Sequence, residues 1–278
     1  MNNNKDDDSS LFTDRMRAHT KNVHAESDRT VNLKLGLVLT SSRLYGESIS
    51  LFGLIYERLE DILHRKKSHR HLGQFYALLP FLSRSDGFQK DISFYLSANE
   101  LEELKQFRTK ESKIVNPPEL ADYLNRLDEL EREDPVRLIA YVYHMYMAIF
   151  AGGFIIKNIV KKAMRLPKDS DNGVLGLSTR KVDENGQIMD GRQIRKELKR
   201  ILNEVIAPEL TEEEMNDILE ESLQVFRRNN ALVASVEDTA SFQKAVLRCK
   251  NFVIIPAAVL LVAVISFYIR PVVDVYKK

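Results

Sequence analysis

The sequence predicts an all-α fold, and three observations carry that prediction. Apolar residues recur at helical spacing along most of the chain, helix-opening residues stand where the periodic stretches begin, and no stretch alternates convincingly with the period of two that a half-buried strand requires. The chain has 278 residues, of which 44% are hydrophobic and 29% charged, ample for one sizeable core plus attachments.

Met1 to Ser10 is rich in Asn and Asp and lacks the apolar core of a signal peptide, so residues 1–10 are expected to be a disordered arm. Thr13 or Ser10 can cap a first helix reaching about Ser27. Arg43 to Lys66 gives a second, with Leu51, Leu54, Ile55, Leu59 and Ile62 on one face. Pro117-Pro118 opens a helix carrying Leu120, Tyr123, Leu124 and Leu127. A long amphipathic helix follows from Asp134, as N-cap, with Pro135 in the first turn, to about Leu166. Pro167 to about Asp190 is polar and glycine-containing and reads as an exposed loop. Helix returns over Arg192 to Val205 and over Thr211 to about Ala234, where Thr211 with Glu214 three residues on forms a capping box.

Phe252 to Ile269 is uncharged and 18 residues long, enough to cross about 27 Å of hydrocarbon. Arg248 and Lys250 flank it on one side and Arg270, Lys277 and Lys278 on the other, while Phe267 and Tyr268 suit an interfacial belt. Only nine residues follow, which leads us to expect a tail anchor with the folded part facing cytosol. The expected organisation is an arm at 1–10, a single helical domain at 11–236, a linker at 237–250, a transmembrane anchor at 251–270 and a lumenal tail at 271–278.

Forty-one basic residues against forty acidic ones give no net field, so nucleic acid is not an expected partner. Cys249 is the only cysteine, which excludes a disulfide framework and a cysteine-based structural zinc site; acylation at this position beside the membrane is conceivable, an inert thiol the plainer expectation. The chain has no P-loop, no dinucleotide-binding glycine fingerprint, no nucleophile elbow and no His-Glu-x-x-His zinc pair.

Two features remain. Gly152-Gly153 lies at the centre of the long helix, where each glycine gives up roughly 1 kcal/mol against alanine; either another helix crosses closely there, or the backbone bends or is approached by a ligand. Arg17, Lys21 and His24 fall at i, i+4 and i+7 on the first helix and share one face, for which a solvated basic face is the plainer reading. His64, His69 and His71, set among Arg65, Lys66, Lys67 and Arg70, read as an exposed basic turn. An imidazole beside cations on one helix and a pliable glycine pair on another could sandwich a flat, anionic metal macrocycle such as haem, with imidazole on iron, cations at the propionates and glycine backbone close to the opposite face.

Met16-Arg17-Ala18-His19-Thr20-Lys21-Asn22-Val23-His24-Ala25 resembles the proximal-helix motif of the haem oxygenases, with His24 at the proximal iron ligand. Phe88 to Tyr95, Tyr123 to Leu127, Tyr143 to Met147 with Gly152-Gly153, Ile218 to Glu221 and Phe226 to Asn229 continue the resemblance in the family's order and spacing, over about Leu11 to Val236, and a tail anchor is also found in microsomal members. The resemblance implies a single multi-helix haem oxygenase-like domain. It places Arg17 and Tyr143 at propionate-contacting positions, with Lys21 nearby, Lys196 and Arg200 as a further basic pair, and Asp28 close to the acidic residue that hydrogen-bonds the proximal histidine. Tyr123 and Asn229 resemble two members of the distal hydrogen-bond network, and Gly152 and Gly153 the distal glycines.

The departures are equally specific. Ile149 stands where the family places an aspartate, Met145 where it commonly has an arginine, and Ala148 where a glycine adjoins that aspartate. Isoleucine neither holds water nor relays protons. The resemblance implies O2-dependent cleavage of haem, both substrate and prosthetic group, to biliverdin, ferrous iron and carbon monoxide, at the endoplasmic reticulum membrane. Electrons would come from NADPH through a separate microsomal flavoprotein reductase, since the chain has no flavin or nicotinamide motif of its own, and membrane lipid would hold the two together. A haem-binding sensor or storage protein on the same fold is the alternative that the missing distal groups favour, and a tail-anchored helical adaptor without cofactor is a third.

Overall fold

The structure, a computed structural model, describes residues 11–102, 117–183 and 185–251. The expected N-terminal arm and, but for Asn251, the transmembrane anchor and tail lie outside them, as does the Cys249 side chain.

Helix α1 (Phe12–Val38) does not stop near Ser27 and has no side-chain cap of its own. Asn203, remote in sequence, takes that role: its Oδ1 accepts from Thr13 N at 3.0 Å and its Nδ2 donates to Thr13 Oγ1 at 3.1 Å, so Thr13 is capped and does not itself cap. Ser27 is an internal contact, donating to Asn230 Oδ1 at 2.6 Å. Helix α2 (Ser42–Arg65) is capped by Ser41, whose side chain accepts from Leu44 N, and buries Ile55, Leu59 and Ile62 as the periodicity predicts.

Two short helices, α3 (Leu72–Tyr76) and α4 (Leu79–Leu82), lead into α5 (Ser85–Tyr95), which packs along α2. Helix α6 (Pro118–Glu133) begins at its proline pair and buries Leu120, Tyr123 and Leu127. A 3-10 turn (Pro135–Arg137) precedes α7 (Leu138–Ala163), so Asp134 is not the N-cap of one unbroken α-helix; its carboxylate pairs with Arg137 at 2.9 Å. Residues Pro135–Ala163 are apolar and long enough to cross a membrane, but Ile139, Tyr141 and Tyr146 are fully buried within the protein and mark α7 as a core helix.

The segment after α7 is exposed towards both ends, as its composition suggests, but buried in its middle. Val174 is fully buried, and a 3-10 turn (Leu175–Leu177) lies on α5, where the Asp91 carboxylate accepts from Leu175 N and Gly176 N, both at 2.8 Å. Gly176 is required by this approach: a Cβ there would meet the Phe88 ring at 2.6 Å. A two-residue antiparallel hairpin, β1 (Lys181–Val182) with β2 (Ile188–Met189), precedes α8 (Gly191–Arg200). Asp190 and Gln193 form a capping box that opens α8.

The backbone then widens into a π-helical turn (Ile201–Ile206), and Pro208, which cannot donate to the preceding turn, lies in the 3-10 turn (Ala207–Glu209) that ends it. Helix α9 (Glu212–Ser235) carries the Thr211–Glu214 capping box expected from the sequence. The linker expected at residues 237–250 is largely helical. After a 3-10 turn (Val236–Asp238), helix α10 (Ala240–Asn251) folds back on α1 and α2, burying Phe242 and Ala245 and donating from Ser241 Oγ to Glu47 at 2.9 Å.

Two buried polar clusters fix α7. Glu221 of α9 is 3% exposed and receives Arg126 of α6 at 3.2 and 2.6 Å and the Tyr141 hydroxyl of α7 at 2.8 Å. Arg84, wholly buried, holds its guanidinium 4.4 Å from the centre of the Phe150 ring and donates to the carbonyls of Phe81 and Ser178. Burial lowers its pKa to about 10, still charged at neutrality, although its Nε is buried without a hydrogen-bond partner among the described residues.

Candidate functional site

Helices α1, α7 and α9 bring most of the sequence-predicted site residues to one region. His24 lies on α1 with Nδ1 3.2 Å from Asp28 Oδ2, one turn on. That hydrogen bond raises the imidazole pKa above its ordinary value against the opposing effect of partial burial, and it leaves Nε2 as the nitrogen for a ligand. His19 is already used, with Nε2 3.1 Å from Glu220 of α9.

Across from α1, the Phe226 ring of α9 links two imidazoles. Its centre is 5.3 Å from that of His24 and 5.0 Å from that of His144 on α7, edge-on to the latter. His144 Nε2 is buried and has no hydrogen-bond partner among the described residues. Burial pushes its pKa down to about 3, with nearby His24 adding to the effect, so the ring is neutral.

Next along α7, Met145 gathers the expected distal polar groups. Its sulfur accepts from the Tyr123 hydroxyl at 3.5 Å and from Asn229 Nδ2 at 3.4 Å, and its carbonyl accepts from the Tyr56 hydroxyl at 2.8 Å. Asn229 Oδ1 is buried and unpaired among the described residues. Ile149, one turn further, is 7% exposed.

The glycine pair is not explained by a helix crossing at Gly152. A Cβ built at Gly152 would meet nothing within 4 Å among the described residues, whereas one at Gly153 would rest in ordinary contact with the Leu177 carbonyl at 3.4 Å and Ile149 Cγ2 at 3.5 Å. Helix α7 runs continuously through both glycines, so a break there is not their purpose.

Tyr143 is buried at the start of α7, near Thr13 at the start of α1, and burial raises its pKa to about 12. Arg17, close enough to oppose that rise, and Lys21 are exposed on α1. Lys196 and Arg200 are exposed on α8, where Arg200 pairs with Glu197 at 2.7 Å; among the described residues no hydrogen bond or ion pair joins them to the α1–α7–α9 group. His69 and His71 are not a simple exposed turn: His71 is 5% exposed, 3.7 Å from Glu209, and His69 Nδ1 accepts from the backbone at His71 and Leu72.

Sequence reasoning gave no role to His144, Phe226 or Tyr56. His144 and Phe226 lie inside quoted motifs, and the available signal was their place beside Tyr143 and three residues before Asn229.

Comparison with known proteins gives a consistent result. A sequence model of the family described as "Heme oxygenase" matches residues 10–235. Among curated relatives, "Heme oxygenase 2" of Synechocystis is 24% identical over 226 residues, covering 81% of this chain and 82% of its own length. "Heme oxygenase" of Takifugu rubripes is 26% identical over 220 residues, covering 78% and 71%. Among solved structures, heme oxygenase 2 from Chlamydomonas reinhardtii, determined without heme, superposes with a TM-score of 0.71 at 26% identity, covering 83% of this chain and all of that one. Heme oxygenase-1 from Synechocystis, in complex with heme, gives 0.69 at 21% identity, covering 87% and 99%. With the family matched across most of its length and the same all-α architecture in solved members, this chain belongs to the haem oxygenase family.

Proposed function

We propose that the protein cleaves haem oxidatively to biliverdin, ferrous iron and carbon monoxide. The observation that carries the reading is the pairing of a ligand-ready His24, oriented by Asp28, with an opposing stretch of α7 that holds unsatisfied groups and open backbone. The residues fit a flat iron macrocycle. His144 Nε2 and Asn229 Oδ1 are buried without partners, and Gly152 offers bare backbone at roughly 1 kcal/mol of helix stability.

His24 would hold the iron and Asp28 would keep its ring oriented. Arg17, Lys21 and Tyr143 supply charge and a hydroxyl for the propionates, with Lys196 and Arg200 as a further basic pair. When bound, haem supplies the iron at which O2 is activated against the porphyrin's own meso carbon, given electrons from outside. Ile149 and Met145 offer no proton opposite His24, so Asn229, whose Oδ1 has no partner among the described residues, would with solvent be the group that orders water there.

Electrons are proposed to come from NADPH through a separate flavoprotein reductase. Anchorage in the endoplasmic reticulum membrane through residues 252–269 would keep the two proteins on one surface. A second reading, a haem sensor or storage protein, draws on the apolar Ile149 and Met145. Chromatography of the products after incubation with haem, NADPH and the reductase separates the two. A bilin is expected; an undiminished Soret band with no bilin would leave storage or sensing, and protein that takes up no haem would remove both readings.

A further inference from the structure

We propose that His144 is a second iron ligand, closing the resting ferric haem site opposite His24; the inference rests on haem being what this site binds. Three structural features converge on it. First, the His144 and His24 rings both lie against the single ring of Phe226, at 5.0 and 5.3 Å, so the two imidazoles share one aromatic neighbour. Second, His144 Nε2 is buried with no hydrogen-bond partner among the described residues, a cost of about 1–3 kcal/mol that a bond to a metal would remove. Third, its ring neighbours are Phe226 and the adjacent Tyr143 at 5.3 Å, and a neutral imidazole is the form that binds metal.

Phe226 stands in the haem-free fold where both rings converge. The substitution pattern around His144 agrees. Met145 and Ile149 on the same helix carry no group that could anchor a distal water on iron, so an imidazole meets no rival polar ligand from them. His144 would then govern access. Oxygen or carbon monoxide binds the ferrous iron only after His144 leaves, an exchange of one neutral ligand for another with no change of redox state.

The test uses the full chain loaded with ferric haem in detergent, compared with His144→Leu and His24→Ala, by absorption and electron paramagnetic resonance. The parent protein is expected to give a low-spin, two-imidazole signal. His144→Leu is expected to bind haem and convert to a high-spin signal with one imidazole, and His24→Ala to lose the same two-imidazole signature. Carbon monoxide binding to the ferrous parent should level off with rising gas concentration, limited by departure of His144, and should become at least ten-fold faster and linear in His144→Leu. A high-spin parent, or a low-spin signal unchanged in His144→Leu, overturns the proposal while leaving haem binding intact. Failure of the parent to take up haem would instead remove the functional reading beneath it. Because a misfolded variant would imitate a lost ligand, His144→Met is measured alongside: a thioether-ligated spectrum supports the position as facing iron, and a high-spin spectrum indistinguishable from that of a high-spin parent counts against it.

Discussion

His24 Nδ1 and Asp28 Oδ2 are 3.2 Å apart across one turn of α1, with both side chains more than half exposed, so the pair orients a nitrogen and contributes little to fold stability. Replacing Asp28 with Ala removes the hydrogen bond that raises the His24 pKa, which should fall towards its ordinary value. Haem affinity is expected to drop by roughly 10–100-fold, the usual effect of losing such a partner. Haem titration checks the affinity and the iron–imidazole stretching frequency checks the cause; unchanged values of both would show that Asp28 does not tune this ligand.

Gly152 separates packing from ligand access. Since a Cβ there meets nothing within 4 Å among the described residues, Gly152→Ala should raise the stability of the haem-free protein by up to ~1 kcal/mol while weakening haem binding. Urea unfolding of the haem-free protein and the haem dissociation rate are the paired readouts. A stabilised variant with undiminished affinity would mean that nothing lies against this backbone.

Ile149 is 7% exposed and lies one turn beyond Met145. Ile149→Asp brings a carboxyl into a largely apolar setting and should cost the haem-free fold about 1–3 kcal/mol. It should also change the turnover rate or the bilin isomer pattern, because it gives the distal side a group that holds water. Identical rate and isomers would show that this position has no influence on oxygen chemistry in this chain.

His144 sets a pH dependence whose sign follows from its depressed folded-state pKa of about 3. The unfolded chain binds the proton below about 6.5 and the folded chain does not until near 3, so the stability associated with this group is complete above 6.5 and is lost as pH falls through that window. Relative to His144→Phe, the haem-free parent should lose up to ~1.4 kcal/mol per pH unit below 6.5. Urea midpoints at pH 7, 6 and 5 measure the difference, and parallel curves for the two proteins would place His144 in solvent.

Much of this architecture was legible because local rules coincide with the tertiary solution. The Thr211–Glu214 capping box, the Pro117-Pro118 helix start and the apolar face of α2 each depend on residues within a few positions of one another. What escaped depends on distant partners. Asn203 caps α1 from the far side of the fold, and Asp91 buries a polar segment by accepting two of its backbone N–H groups, so composition misread residues 174–177 as exposed. The site divides the same way. His24, Tyr143, Asn229 and the glycines sit in recognisable motifs, but the junction at Phe226 exists only once α1, α7 and α9 pack together. That same packing bears on the glycine pair, since among the described residues nothing lies within 4 Å of a Cβ built at Gly152.

On the proposed function, haem bound at this site loses one meso carbon as carbon monoxide. The most direct test of this is the carbon monoxide released per haem lost when the ferric complex is driven by NADPH and the flavoprotein reductase under air, captured on ferrous myoglobin. One carbon monoxide for each haem consumed is the expected result, with the yield abolished in His24→Ala. Loss of the Soret band without carbon monoxide, or a Soret band that persists through reduction in air, would contradict it.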